Sequence, residues 1–228
     1  MDFFSPVFWS ALLAIVITDL VLAGDNAIVI GLAARNVPAE KQQKVIFLGT
    51  LGAIVIRALL TFMVVWLLKI PGLLLLGGVL LIWIAFKLLV EEKQHDKMKS
   101  GESLWSAIKT IIIADAVMGL DNVLAVAGAA HGSFILVILG LLISVPIVVW
   151  GSTIILKWVE RYPIIIHVGA GVLAWTASKM IVSEEFLKGF FQDNFILKWG
   201  LSIVIIAGVL FAGRIMKQKG AKQSVDPA

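Results

Sequence analysis

The sequence predicts an all-α membrane protein: seven transmembrane helices, arranged as an inverted three-plus-three repeat with a seventh helix added. Three observations predict it. First, hydrophobic residues make up 60% of the chain and charged ones only 15%, with a mean hydropathy of +1.02. A soluble domain is nearer half apolar and a quarter charged. Second, seven apolar stretches approach the ~20 residues needed to cross a bilayer. Third, the chain repeats a polar pattern inside two of those stretches and an apolar pattern across two others.

The first stretch, 8–34, holds Asp19, Asp25 and Asn26 within "DLVLAGDN". It lacks the basic n-region of a cleavable signal peptide and carries acids in its apolar part. The second, 44–68, contains a deep arginine, Arg57; the third is 72–90. The fourth, 104–130, holds Asp115, Asp121 and Asn122 within "DAVMGLDN". The fifth, sixth and seventh are 134–157, 164–183 and 196–215. The first and fourth are long, which predicts a tilt or a break.

The loops are short. The longest, "EEKQHDKMKSGES" at 91–103, is polar and mixed in sign. The domain reading is one transmembrane unit over 1–216, with repeat one at 8–92, repeat two at 104–184 and the seventh helix at 196–215. A short tail, 217–228, follows and is too polar to fold alone. No soluble domain is predicted. An enzyme acting on soluble macromolecules is therefore not expected, nor is a nucleic-acid partner. With no cysteines there is no thiolate metal site or thiol catalysis to consider.

Orientation follows from where Lys and Arg fall in the loops. One side carries Arg35, Lys41, Lys44, Lys93, Lys97, Lys99, Lys157, Arg161, Lys217, Lys219 and Lys222; the other has Lys69, Lys188 and Lys198. This bias places the N-terminus outside and the C-terminus in the cytoplasm.

Asp19, Asp25 and Asn26 map onto Asp115, Asp121 and Asn122 with a constant offset of 96. "GGVLLIWIAFKLLVEE" (77–92) aligns without gaps on "GAGVLAWTASKMIVSE" (169–184). Each unit has three spans, and an odd number inverts the second copy in the membrane. Inverted repeats are an architecture of transporters, with the site near the midplane where the copies meet.

Acids at a span centre cost about 2.5–3.5 kcal/mol each by insertion scales. Partners, water, protons or a bound cation must offset four of them. Residues six apart on a regular helix lie about 9 Å apart along the axis and about 120° apart around it. Asp19 and Asp25 therefore do not share a face of an unbroken helix. Gly24 and Gly119 lie inside the motifs, and glycine weakens a helix. The expectation is a break or unwound turn at each, freeing backbone carbonyls to join the carboxylates and Asn carbonyls as ligands. Asn26 and Asn122 could instead donate to those carbonyls. Such an all-oxygen set suits magnesium, manganese or calcium. Met118 is a nearby soft atom or simply core filler. A plain capping role for the Asp and Asn side chains is the structural alternative.

Lys87 and Lys179 lie near span ends, where they could pair with the acids or snorkel to the interface. Arg57 is deep enough to neutralise an aspartate. His131 and His167 read as interfacial and His95 as a loop residue. "GTLG" (49–52), "AVAGAAHG" (125–132) and "GAGVLA" (169–174) read as close helix packing. The eight Trp read as interface anchors or core.

"DLVLAGDNAIVIGLAA" and "DAVMGLDNVLAVAGAAHG", together with the seven-span pattern, resemble the TerC family of bacterial membrane proteins, and its short-chain, YjbE-type branch in particular. The resemblance runs from about 8 to 215. It implies manganese export across the bacterial cytoplasmic membrane and kinship with LysE-like exporters. It carries Asp19, Asp25, Asn26, Asp115, Asp121 and Asn122 over as metal-site positions.

The expected function is thus a secondary transporter exporting a divalent cation, Mn2+ by resemblance, in exchange for protons. The metal is substrate, and no prosthetic group is expected. The partners are the lipid bilayer, the ion and protons, and the small-residue faces permit a homodimer. The alternatives are an exporter of a small organic cation or amino acid, a membrane factor that assists metallation of secreted proteins, and an intramembrane aspartyl protease. The inverted repeat and the lack of a Gly-x-Gly-Asp sequence speak against the last.

Overall fold

A computed structural model describes residues 5–67, 70–90, 100–130, 133–192 and 194–223. Among the described residues the chain is all helical, with no strand. The helices are α1 (Pro6–Ala34), α2 (Ala39–Leu67), α3 (Leu73–Val90), α4 (Ser100–Ala129), α5 (Phe134–Arg161), α6 (Ile164–Ser183), α7 (Glu185–Gln192) and α8 (Phe195–Gln223).

Local sequence sets several boundaries. Ser5 caps α1, its hydroxyl accepting from the Phe8 N–H at 3.2 Å, and Pro6 opens the helix where a missing N–H costs nothing. Ser133 caps α5 in the same way through Leu136. Gly72, at φ +83°, makes the turn into α3 in a backbone region that other residues resist.

Five helices are long and apolar enough to cross a membrane, and α1 makes a sixth if its two bent halves form one span. The six predicted stretches that coincide with α1, α2, α3, α5, α6 and α8 account for these. α4 covers the predicted fourth stretch as a 30-residue helix but is not among the candidate spans. α7 was not anticipated. It is a two-turn amphipathic helix with Phe186 and Phe190 exposed. α8 runs past 215 to Gln223, into the segment read as a tail.

The packing pairs the two units reciprocally. α1 packs chiefly on α5, α2 chiefly on α4, and α3 on α6. Each unit's first helix therefore meets the other unit's second. Glycines allow the approach. A Cβ on Gly140 in α5 would collide with Ile15, and one on Gly49 in α2 would lie 2.7 Å from Ile111. Ile15 and Ile111 are themselves 96 residues apart, the offset of the polar motif. Gly49 and Gly52 of "GTLG" both face α4, and Gly169 of "GAGVLA" faces Ile28 and Leu32 of α1. The core joins Leu32, Ile46, Leu81, Ile111, Leu173 and Met180 from five helices. α8 is peripheral: 11% of its apolar window is buried, against 33–44% for the other four single-helix spans.

The outer surface is apolar. All eight Trp are exposed, so none is core. A surface this greasy is what a lipid-facing exterior requires, because hydrocarbon offers no partner to polar groups.

Candidate functional site

The predicted site residues divide by position. Asp19, Asp25 and Asn26 lie on α1, and Asp115 on α4. Asp121 and Asn122 belong to the α4 backbone, but their side chains lie outside the described residues, as do His95, His131 and Glu92.

α1 carries the motif across a bend. Pro6–Leu20 and Gly24–Ala34 differ in direction by 48°. The bend lies between Asp19 and Asp25, and the turn itself stays helical rather than unwinding. α4 is likewise helical through Gly119. The break expected near Gly24 is thus present as a bend without unwinding, while α4 has neither a bend of this kind nor an unwound turn at Gly119 among its described residues. A helix that keeps its i→i−4 bonds frees no carbonyls as ligands. Gly119 has a different neighbour: a Cβ there would lie 3.8 Å from Arg57 Nε and 3.9 Å from its Cγ.

Arg57, on α2, joins the two motifs. Its Nη1 donates to Asp19 and its Nη2 to Asp115 Oδ1, while Nε donates to Asp115 Oδ2 at 3.2 Å. The Ser144 hydroxyl on α5 donates to the other oxygen of Asp19. All four residues are buried: Arg57 6%, Asp19 3%, Asp115 7% and Ser144 2% exposed. The planar guanidinium offers five donors in a fixed fork and stays charged, so one arginine can serve two carboxylates. Much of the cost of burying the first aspartate of each motif is thus offset by a partner within the chain. The sequence reading left the role of Arg57 open and missed Ser144. Its one signal was a serine two residues before Pro146, inside an apolar helix.

Asp25 and Asn26 are differently placed. Asp25 is half-buried, and its Oδ1 accepts from the Asn26 N–H at 3.0 Å. Asn26 is 4% exposed, and its Oδ1 is buried with no hydrogen-bond partner. A buried polar atom without a partner costs about 1–3 kcal/mol, so such an oxygen asks for an explanation. Asn26 sits seven residues after Asp19, close to two helical turns, and so on nearly the same face of the helix apart from the bend. Thr50 sits seven residues before Arg57 on α2, and its hydroxyl is likewise buried without a partner. Because α1 and α2 are consecutive, both oxygens lie beyond the Asp–Arg–Asp bridge on the side of the α1–α2 connection.

Both lysines sit over the Trp four residues earlier. Lys87 Nζ is 5.5 Å from the Trp83 ring and Lys179 Nζ is 4.3 Å from the Trp175 ring. Lys87 also donates to Ser106 at 3.5 Å. Met118 is buried core. His167 is half-buried. Among the described residues no three His, Asp or Glu side chains form a group that could hold a metal ion.

Comparison with known proteins adds the following. Residues 4–221 match the family described as integral membrane protein TerC. The chain is 44% identical over 208 residues to the membrane protein YjbE of Bacillus subtilis, covering 91% of this chain and 95% of that one. It is 23% identical to the B. subtilis membrane protein YkoY, covering 92% of this chain and 74% of that one. It is 28% identical to the Escherichia coli inner membrane protein YgdQ, covering 69% of this chain and 74% of that one. No solved structure matches the chain.

Proposed function

The chain belongs to the TerC family of integral membrane proteins, and from that premise we propose that it is a secondary transporter. It exports a divalent cation, Mn2+ by family resemblance, from the cytoplasm in exchange for protons. The two motifs, Asp19, Asp25, Asn26 and Asp115, Asp121, Asn122, make up the polar centre that the ion crosses near the middle of a bacterial cytoplasmic membrane, and Arg57 ties their first aspartates together. The N-terminus is outside and the C-terminus inside.

The observation that carries this reading lies just past the bend of α1. There a half-buried carboxylate, Asp25, adjoins a buried amide oxygen, Asn26 Oδ1, that has no hydrogen-bond partner. Hard oxygens of this kind are the ligands that magnesium, calcium and manganese take. The reciprocal packing of the two units supports an inverted repeat, which in transporters surrounds a midplane site.

Proton exchange follows from energetics. Moving one charge against the membrane potential costs about 2.3 kcal/mol per 100 mV, so a divalent ion leaving the cell faces about 4.6 kcal/mol per 100 mV. Two protons entering cancel that electrical cost. A cation entering a cluster of acids releases the protons they hold.

The test is Mn2+ flux into proteoliposomes of the purified protein with a pH dye inside. The expected outcome is Mn2+ movement with opposite proton movement, abolished in Asp25→Asn and in Asp121→Asn while both variants still express and insert. Transport retained in both variants removes the site. No Mn2+ movement by a folded, inserted parent removes manganese as the cargo.

A further inference from the structure

The Arg57 bridge engages the first aspartate of both D-x5-D-N motifs and leaves the second half of the α1 motif outside it. Both oxygens of Asp19 are engaged, one by Arg57 and one by Ser144. Both oxygens of Asp115 are engaged by Arg57. Gly119, one turn after Asp115 on α4, presents no side chain where the guanidinium lies. On α1 the second half is differently placed. Asp25 is half-buried, its Oδ1 bonded to the amide of the next residue, and the Asn26 oxygen beside it has no partner.

We propose that Arg57 is a built-in cation that withdraws the first aspartate of each motif from the cargo site. The transported ion is then held by Asp25 and Asn26, and not by Asp19 and Asp115. This rests on the cation-transport reading above. Arginine suits the task because it stays charged in any protein environment and fills both carboxylates through one rigid fork. An incoming ion would have to break several charge-assisted hydrogen bonds at once to reach either aspartate. What it meets instead is the Asp25 carboxylate and, beside it, the Asn26 oxygen that has no hydrogen-bond partner. Arg57, Asp19, Asp115 and Ser144 are positioning residues that hold α1, α2, α4 and α5 at one level.

Mn2+ binding to the purified full-length protein tests this, with free Mn2+ counted by its electron paramagnetic resonance signal. The parent is expected to bind one Mn2+ per chain. The triple variant Asp19→Asn, Arg57→Gln, Asp115→Asn removes the three charges of the bridge together, so that none is left buried without its partner. It avoids the large cost of one uncompensated buried charge that a single substitution carries, so this protein should fold. It should bind Mn2+ within about threefold of the parent, whereas Asp25→Asn should weaken binding about a hundredfold or more. Arg57→Gln alone frees the first aspartates and should bind a second Mn2+, lost again when Asp115→Asn is added; a merely structural arginine would not change that count. Arg57→Lys should restore the single ion.

Loss of Mn2+ binding in the folded triple variant, as deep as in Asp25→Asn, would overturn the division. So would a folded Arg57→Gln protein that still binds one ion. If Arg57→Gln does not fold, the triple variant decides. A folded parent that binds no Mn2+ overturns the transport reading for this ion, and the division with it.

Discussion

At the scale of single residues, Glu184 shows what a matched pair in a repeat can hide. The sequence aligns it with Glu92 and says nothing of its role. In the fold it follows the end of α6, 3% exposed, and closes the start of α3. Its carboxylate accepts from the N–H groups of Gly72 at 2.9 Å, Leu74 at 3.0 Å and Leu75 at 3.2 Å. These are donors that a helix N-terminus leaves unpaired, and the helix dipole favours a negative charge there. Desolvation pushes the Glu184 carboxyl up, but the backbone donors of Gly72, Leu75, Glu185 and Leu74 together outweigh it and hold the group below its ordinary value. A depressed acid stabilises the fold above its unfolded pKa and loses that contribution as pH falls through its native one. Glu184→Gln should therefore cost about 1–3 kcal/mol at neutral pH. Thermal melts in detergent should show parent and variant converging as pH falls below the ordinary glutamate range. Melts that stay equally separated at every pH would remove the charge from the explanation. Arg57 was legible as a deep cation of undecided role. Which acids it meets was not, because its partners lie 38 and 58 residues away in sequence.

At the scale of elements, glycine carries two opposite meanings that sequence alone does not separate. A Cβ on Gly78 would lie 2.9 Å from the Ala177 carbonyl oxygen and 2.7 Å from Ile181 Cγ1, where α3 crosses α6. Backbone cannot yield as a side chain does. Gly78→Ala should cost about 1–3 kcal/mol, the range for overpacking. A Cβ on Gly24 would meet nothing within 4 Å. Gly24→Ala should be neutral or gain up to about 1 kcal/mol, since alanine favours a helix over glycine. Thermal denaturation of the two variants should give opposite signs. Two losses of equal size would mean that the bend in α1 needs Gly24 itself. The same limit applies to α7. Its Phe186, Leu187, Phe190 and Phe191 have helical spacing, but an eight-residue helix is far below the length that identifies a span.

At the scale of the molecule, the two units exchange their second helices. Gly49 meets Ile111, and Gly140 meets Ile15, through repeat-equivalent isoleucines. The built Cβ positions lie 3.2 Å and 3.1 Å from the isoleucine Cβ atoms. A disulfide needs about 3.5–4.5 Å, so a small adjustment suffices. The chain has no cysteine of its own. The pairs Gly49→Cys with Ile111→Cys, and Gly140→Cys with Ile15→Cys, should each crosslink to near completion under mild oxidation. Efficient crosslinking of one pair and failure of the other would mean that the pairing is not reciprocal.

The sequence by itself determined that the chain lives in lipid and where most of its helices run, because apolar length is a local property read against a fixed bilayer thickness. It also exposed the repeat and set four acids at matched depths, since those are statements about spacing. Tertiary structure decided which acids are neutralised within the chain, which amide oxygen is left without a partner, and that all eight Trp face outward. Each of those depends on contacts between helices distant in sequence, and hydrophobicity constrains that pairing only weakly when every helix is apolar on most sides.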